Sequence, residues 1–248
     1  MIRGTDRSFS GPILHSAPKT IQRNSLNNLL EGLPMKTFVV STAIIALLVP
    51  STVLADDLSF SGGVTVTSNY LSDGLSETGN SPAIQPYFEL AKNGFYAGVW
   101  ATNLKDDPGN RTELDLSLGY RGETGSGLGY DLGYTQHFYD KTHAASSELA
   151  VSLGVPVTDQ LSVSGEVSYD LAEKTFGESL GAEFVLADAW TLHADVGRAD
   201  PSASVNWGAG VGYALDDRTT IDFQVQDTAT TSPLAALSMN YAFGDTLK

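Results

Sequence analysis

Apolar residues alternate with polar or very small ones through most of the chain after residue 56. In the segment 112–121, for example, Leu114 and Leu116 alternate with Glu113 and Asp115. This period of two is typical of β-strands with one apolar and one polar face, and no segment shows a convincing helical period. The pattern predicts twelve strands, at 58–70, 83–90, 95–104, 112–121, 128–139, 148–155, 161–171, 179–186, 190–198, 206–214, 219–227 and 234–243.

The predicted connections alternate between short and longer ones. The short connections are 91–94, 122–127, 156–160, 187–189 and 215–218, and the longer ones are 71–82, 105–111, 140–147, 172–178, 199–205 and 228–233. An up-and-down meander with short turns at one end and longer loops at the other has this alternation, as outer-membrane barrels do. Strands of this length are long enough to cross a bilayer when tilted.

A secretory leader precedes the alternating region. The apolar run Phe38–Leu48 follows Met35 and Lys36, and Ala55 supplies a small residue at a cleavage site. The run is too short to span a membrane as a helix. The sequence therefore predicts a signal peptide at 35–55 with cleavage after Ala55. It also predicts a non-native or extended leader at 1–34, with Met35 as an alternative start to Met1, and a single outer-membrane barrel at 56–248.

Charge and composition exclude several classes of protein. The chain has 14 basic and 29 acidic residues, a formal charge of −15 and no Cys. Removing residues 1–55, which carry five of the basic and two of the acidic residues, makes the formal charge −18. An acidic chain is a poor partner for nucleic acid. The absence of Cys excludes disulfides and thiolate zinc sites.

The polar faces favour a membrane barrel over a soluble one. They are rich in Ser, Gly, Thr and acids but nearly lack Lys, whereas a solvated face mixes both charges. Aromatic residues at strand ends resemble the interfacial girdles of membrane barrels. The predicted fold is all-β, a transmembrane antiparallel up-and-down β-barrel of about 12 strands, and a soluble periplasmic barrel or sandwich is the alternative. The aromatic residues at strand ends that are predicted to form these interfacial girdles are Tyr70, Tyr120, Trp190, Trp207, Tyr213 and Tyr241.

The chain resembles the TorF family, an uncharacterised family of Gram-negative outer-membrane proteins, most strongly over about residues 56–135 and by strand rhythm from there to the C-terminus. The motifs are 68–70 (SNY), 74–76 (GLS), 82–85 (PAIQ), 94–100 (GFYAGVW) and 113–120 (ELDLSLGY). The resemblance implies a porin-like barrel in the bacterial outer membrane and no particular substrate. The chain departs from the family at 71–73, where an aromatic residue and Arg are usual, and at 244–248, which follow the aromatic Phe243.

The strand parities turn many acids toward the inside of a closed barrel, with Arg121 as the clearest inward base. Acids around a narrow aqueous lumen attract cations and repel anions. The predicted function is a cation-preferring porin for small hydrophilic solutes, with lipid as its surroundings and the oligomeric state left open. The predicted lumen-lining acids are Glu89, Glu113, Asp115, Asp131, Glu166, Asp170, Glu183, Asp195 and Asp222.

Other functions stay open beside the porin. The lumen of a small barrel can be too filled to conduct, which would leave a structural barrel, and the loops could bind a partner. His137 and His193 occupy polar-face positions, but no nucleophile-elbow motif is present, so the chain is not predicted to be an enzyme. The segment 105–110 is acidic but lacks the spacing of a calcium loop. No catalytic, cofactor or metal site is predicted.

Overall fold

The computed structural model describes residues 21–22, 39–40, 58–105, 109–141, 143, 146–200 and 203–247. The predicted leader 1–34, the signal peptide 35–55 and the cleavage after Ala55 lie outside these residues, apart from a short pairing of Ile21–Gln22 with Val39–Val40. Within the described segments, no helix has the length and apolarity needed to cross a membrane.

Twelve antiparallel strands close into one barrel, which confirms the predicted fold class and strand number. Each strand pairs with its neighbours in the chain, and the last pairs with the first, so the sheet has no open edge. The strands are β1 Leu58–Thr67, β2 Ala83–Lys92, β3 Phe95–Asn103, β4 Thr112–Glu123, β5 Gly129–Tyr139, β6 Ser147–Pro156, β7 Leu161–Asp170, β8 Thr175–Ala187, β9 Trp190–Arg198, β10 Asn206–Ala214, β11 Thr219–Thr228 and β12 Leu234–Leu247.

Three predicted strand ends are wrong by several residues. The first strand ends at Thr67 instead of residue 70, because the chain turns inward there to form a separate hairpin. β8 begins at Thr175, so the connection predicted at 172–178 is only 171–174. β12 continues to Leu247 and pairs with β1 along this extension, which places Phe243 inside the strand.

The connections differ at the two ends of the barrel. At one end, here called the short-turn end, β2 and β3 are joined by Asn93 and Gly94, whose φ angles of 52° and 84° suit a two-residue hairpin turn. The other end, here called the long-loop end, carries the connection 68–82, which contains the small hairpin of Leu71–Ser72 with Leu75–Ser76. The strand directions therefore place both termini of the barrel at the short-turn end.

The two faces of the wall are inverted relative to a soluble barrel. In β4, Leu116 and Leu118 are exposed outside, whereas Asp115 and Ser117 are buried inside. Predicted girdle residues Trp190 and Tyr213 also lie exposed on the outer face, with ring centroids 4.6 Å apart. All twelve strands contribute a buried polar residue to the interior: Thr65, Gln85, Thr102, Asp115, Thr135, Ser152, Ser164, Glu183, Thr191, Asn206, Asp222 and Asn240.

Candidate functional site: the barrel interior

The nine acids predicted to line a lumen all lie on the inward-facing side of their strands. Seven of them are buried, and the other two, Asp170 and Asp195, are partly buried. They form separate groups along the barrel instead of one continuous acidic stripe. The buried seven are Glu89, Glu113, Asp115, Asp131, Glu166, Glu183 and Asp222.

Near the short-turn end, Arg121 joins acids from two other strands. Its guanidinium donates to both carboxylate oxygens of Glu89, at 3.1 and 2.7 Å. The Nε atom lies 3.3 Å from Oδ2 of Asp131, close enough for an ion pair but without hydrogen-bond geometry. The guanidinium also lies 3.9 Å from the ring centroid of Tyr96, whose hydroxyl donates to Asp131 at 2.8 Å. One cation thus balances two buried acids.

Gly119 allows this arrangement because it leaves room for the Tyr96 ring. The two residues are directly opposite on β3 and β4, and any Cβ at position 119 would overlap the ring. A glycine in a strand commonly marks such a close approach. The ring therefore lies against the wall, where it supports Arg121.

At the long-loop end, Glu113, Asp115, His137 and Tyr139 form a second group, here called the rim cluster. Nδ1 of His137 lies 2.7 Å from Oδ1 of Asp115 and 3.7 Å from Oε1 of Glu113. The Tyr139 hydroxyl donates to the same Glu113 oxygen at 2.9 Å. The cluster stands on adjacent strands, at the start of β4 and the end of β5.

A third group surrounds His193, in the half of the barrel toward the short turns. Its Nε2 lies 2.8 Å from Oδ2 of Asp222, and Glu183 is directly opposite it on β8. Glu166, the last of the seven predicted acids that are buried, accepts a bond of 2.6 Å from the Ser152 hydroxyl. Glu148 on β6, which was not among the predicted acids, is buried as well. Both inward histidines are thus held by carboxylates.

The hairpin after β1 folds into the mouth of the barrel at the long-loop end. Tyr70 is only 2% exposed, and its hydroxyl lies 3.5 Å from Oε2 of Glu113 on β4. Asp73 accepts a bond of 3.1 Å from the Asn206 amide on β10. β4 and β10 are six strands apart in the ring of twelve, so this segment reaches both opposite walls. The prediction that Tyr70 belongs to an outward girdle is therefore wrong.

Sequence reasoning missed the aromatic side chains inside the barrel. Tyr70, Trp100 and Leu104 form a small apolar cluster there, and Tyr87 and Tyr139 pack against it. On β3 both faces carry apolar or aromatic residues, so alternation gave no signal for which face points inward. The motif 94–100 contains both Tyr96 and Trp100, but only the strand register shows that their side chains point inward.

The interior is closely packed. Five inward-facing polar residues on β4, β5, β6, β11 and β12 are 0% exposed to solvent. A wide aqueous pore would leave such residues accessible. The five are Asp115, Thr135, Ser152, Asp222 and Asn240.

Comparisons with solved structures define the class of fold. The chain is similar to the KdgM porin, with a TM-score of 0.57 and 11% identity over 75% of this chain and 99% of that one. A second structure, the KdgM porin in complex with disordered oligogalacturonate, has a TM-score of 0.56 with the same identity and coverage. At this identity the likeness concerns the fold, which is that of a porin barrel.

The chain belongs to the family described as "Bacterial protein of unknown function (Gcw_chp)", whose model matches residues 54–246. No curated protein matches the sequence. The porin-type fold agrees with the kind of barrel that the TorF resemblance implied, and the TorF name itself stays a prediction.

Proposed function

We propose that this protein is an outer-membrane porin with a narrow acidic lumen that passes small hydrophilic solutes, cations in preference to anions. The observation that carries the proposal is the inversion of the wall, with apolar residues exposed outside and acids buried inside. An exposed apolar surface of this extent fits lipid, because soluble monomers rarely expose large apolar patches. In this proposal residues 56–248 are the mature barrel, exported by a signal peptide that ends at Ala55, and the chain is not an enzyme.

The charge of the interior sets the preference for cations. Within the described parts of the chain, Arg121 is the inward-facing Arg or Lys of the barrel wall; it is partly buried, and it already contacts two acids. On β11, the buried Asp222 carboxylate lies 2.8 Å from Nε2 of His193. One similar porin was solved with an oligogalacturonate, which is a chain of sugar acids. An acidic interior disfavours such an anion, so that ligand is not extended to this protein.

The conductance test uses the protein purified in folded form and inserted into planar bilayers. Under a KCl gradient we expect small current steps with a reversal potential on the cation-selective side. Glu166→Gln should shift the reversal potential toward zero, because it removes a buried inward charge while keeping an oxygen that can accept the Ser152 bond. Glu173→Gln, in the exposed connection 171–174, is the matched control and should change selectivity less.

The close packing of the interior favours a second candidate, a non-conducting structural barrel. If well-inserted protein gives no current, the porin proposal fails and the structural role remains. The membrane location is tested separately, by heat-modifiability of outer-membrane fractions on gels. A folded barrel in that fraction shifts its migration on boiling, whereas a soluble periplasmic barrel would be absent from it.

A further inference from the structure

The rim cluster brings three metal-ligating side chains to one point. A ring nitrogen of His137 and one oxygen each of Glu113 and Asp115 lie within 4.8 Å of one another, and all three residues are buried. Ligands that share one small cation at about 2.0–2.2 Å lie roughly 3–3.6 Å apart. The observed separations of 2.7 and 3.7 Å from Nδ1 bracket this range. Small side-chain shifts would therefore suffice to seat an ion.

A second observation points to a ligand at this place. Asp115 is 0% exposed, its Oδ1 faces His137, and its Oδ2 has no hydrogen-bond partner among the described residues. A buried carboxylate oxygen left without a partner costs roughly 1–3 kcal/mol or more. A cation held by both oxygens of Asp115 would satisfy the orphaned atom.

The charges at the cluster also favour a divalent cation. Two buried carboxylates face one imidazole, and the ion pairs found among the described residues give neither acid an Arg or Lys partner. Buried charges need compensation, because the interior solvates them poorly. With a neutral imidazole, one divalent cation makes the set of three ligands electrically neutral.

We propose that Glu113, Asp115 and His137 bind one divalent cation of the first transition row, with Zn²⁺ as the test ion. The imidazole nitrogen favours these metals over Mg²⁺ and Ca²⁺, which prefer oxygen ligands alone. Binding uses the lone pair of Nδ1, so the proton between Nδ1 of His137 and Oδ1 of Asp115 leaves to solvent, while a proton on Nε2 keeps the bound imidazole neutral. Tyr139 orients Glu113 through its 2.9 Å bond, as outer partners of metal ligands do.

The site lies at the long-loop end, beneath the inserted hairpin. Glu113 is the second residue of β4, and Tyr70 lies above its carboxylate. Sequence analysis predicted no metal site here because the ligands stand on two strands and form no motif. The inference goes beyond the porin proposal and needs no current through the barrel.

Titration calorimetry with Zn²⁺ on the folded protein in detergent tests the proposal. We expect one equivalent to bind, and His137→Asn should weaken the affinity at least about tenfold. His193→Asn is the matched control, because His193 is also buried and paired with a carboxylate, at 2.8 Å from Asp222. The control should bind Zn²⁺ with the affinity of the parent protein. Co²⁺ should give a visible absorption band in the parent and in His193→Asn, and this band should be lost in His137→Asn.

Absence of binding to the parent protein would overturn the proposal, and so would equal losses in the two histidine variants. If His137→Asn does not fold, as judged by heat-modifiability, the nearly isosteric Asp115→Asn and Glu113→Gln decide the question by the same measurement. Since no step measures conductance, a failed metal test and a failed porin test remain distinct results.

Discussion

Arg121 is the residue that holds Glu89 and Asp131 together near the short-turn end. It meets Glu89 through two hydrogen bonds, Asp131 through an ion pair and Tyr96 through its ring. Removing one member of a buried ion pair leaves an uncompensated charge, which costs more than the pair itself contributes. Alternation placed Arg121 and these acids inside, but it could not show that they meet, because they stand on three different strands.

We expect Arg121→Gln to lower the free energy of unfolding by about 3–5 kcal/mol, because Glu89 and Asp131 lose the guanidinium that pairs with both of them. Urea unfolding in micelles measures the change. Arg198→Gln is the control, since Arg198 and Glu178 form a pair with exposures of 37% and 57%. Exposed pairs contribute about 0–1 kcal/mol. Equal losses in the two variants would contradict the role assigned to Arg121.

The Asp140 carboxylate joins the connection after β5 to the start of β4. The backbone N–H groups of Arg111 and Thr112 donate to it at 2.7 and 3.2 Å and hold the pKa of Asp140 below its ordinary value. A carboxyl group whose pKa is lower in the folded than in the unfolded protein stabilises the fold at pH values above its unfolded pKa, about 3.9. This stabilisation is lost as the pH falls through the folded pKa.

We therefore expect the Asp140 carboxyl to titrate below pH 3.9 in an NMR titration of labelled protein in micelles. Asp140→Asn keeps an oxygen acceptor but lacks the charge. The difference in unfolding free energy between parent and variant should shrink as pH falls through the lowered pKa. A midpoint at or above the ordinary value would contradict this account.

Among the elements of the barrel region, the inserted hairpin is not predicted by alternation. Strands and turns follow from period-two patterning and from turn residues such as Asn93 and Gly94, so most strand ends were predicted within two residues. The hairpin depends instead on contacts with distant strands. Gly74 accepts a 3.4 Å bond from Thr231, and its N–H donates to Gln226 on β11 at 3.1 Å. Such contacts cannot be read from local sequence.

Gly74→Ala should lift the hairpin out of the mouth. Its φ is +79°, and an added Cβ would lie 2.7 Å from the backbone of Asp227, which cannot yield easily. We expect faster hydrogen exchange of residues 69–81 and, if the barrel conducts, a larger current step. Gly79→Ala is the matched control, because its φ is also positive but the nearest atom is the flexible Lys105 side chain at 3.5 Å. Equal exchange in both variants would contradict the anchoring role of Gly74.

At the scale of the whole molecule, the closed ring and its inverted faces were predictable because both arise from one rule. In lipid every backbone group must be paired within the protein, so an even meander with one apolar face closes on itself. How far side chains fill the interior of the barrel could not be predicted from the sequence. It depends on where Tyr70, Trp100 and the polar side chains meet across the barrel, and alternation gives only their direction.

The apolar outer face of the wall gives a prediction that separates a membrane barrel from a soluble one. Leu118 lies in the middle of β4 with 59% of its surface exposed, and Leu215 lies in a short turn with 52% exposed. In a soluble barrel Arg should be tolerated equally at both sites, because both face water. In a bilayer we expect Leu118→Arg to cost about 2–4 kcal/mol on folding into lipid vesicles, because the charge enters the hydrocarbon region. Leu215→Arg should stay within about 0.5 kcal/mol of the parent. Equal and small effects would contradict the membrane assignment, whatever the conductance measurements give.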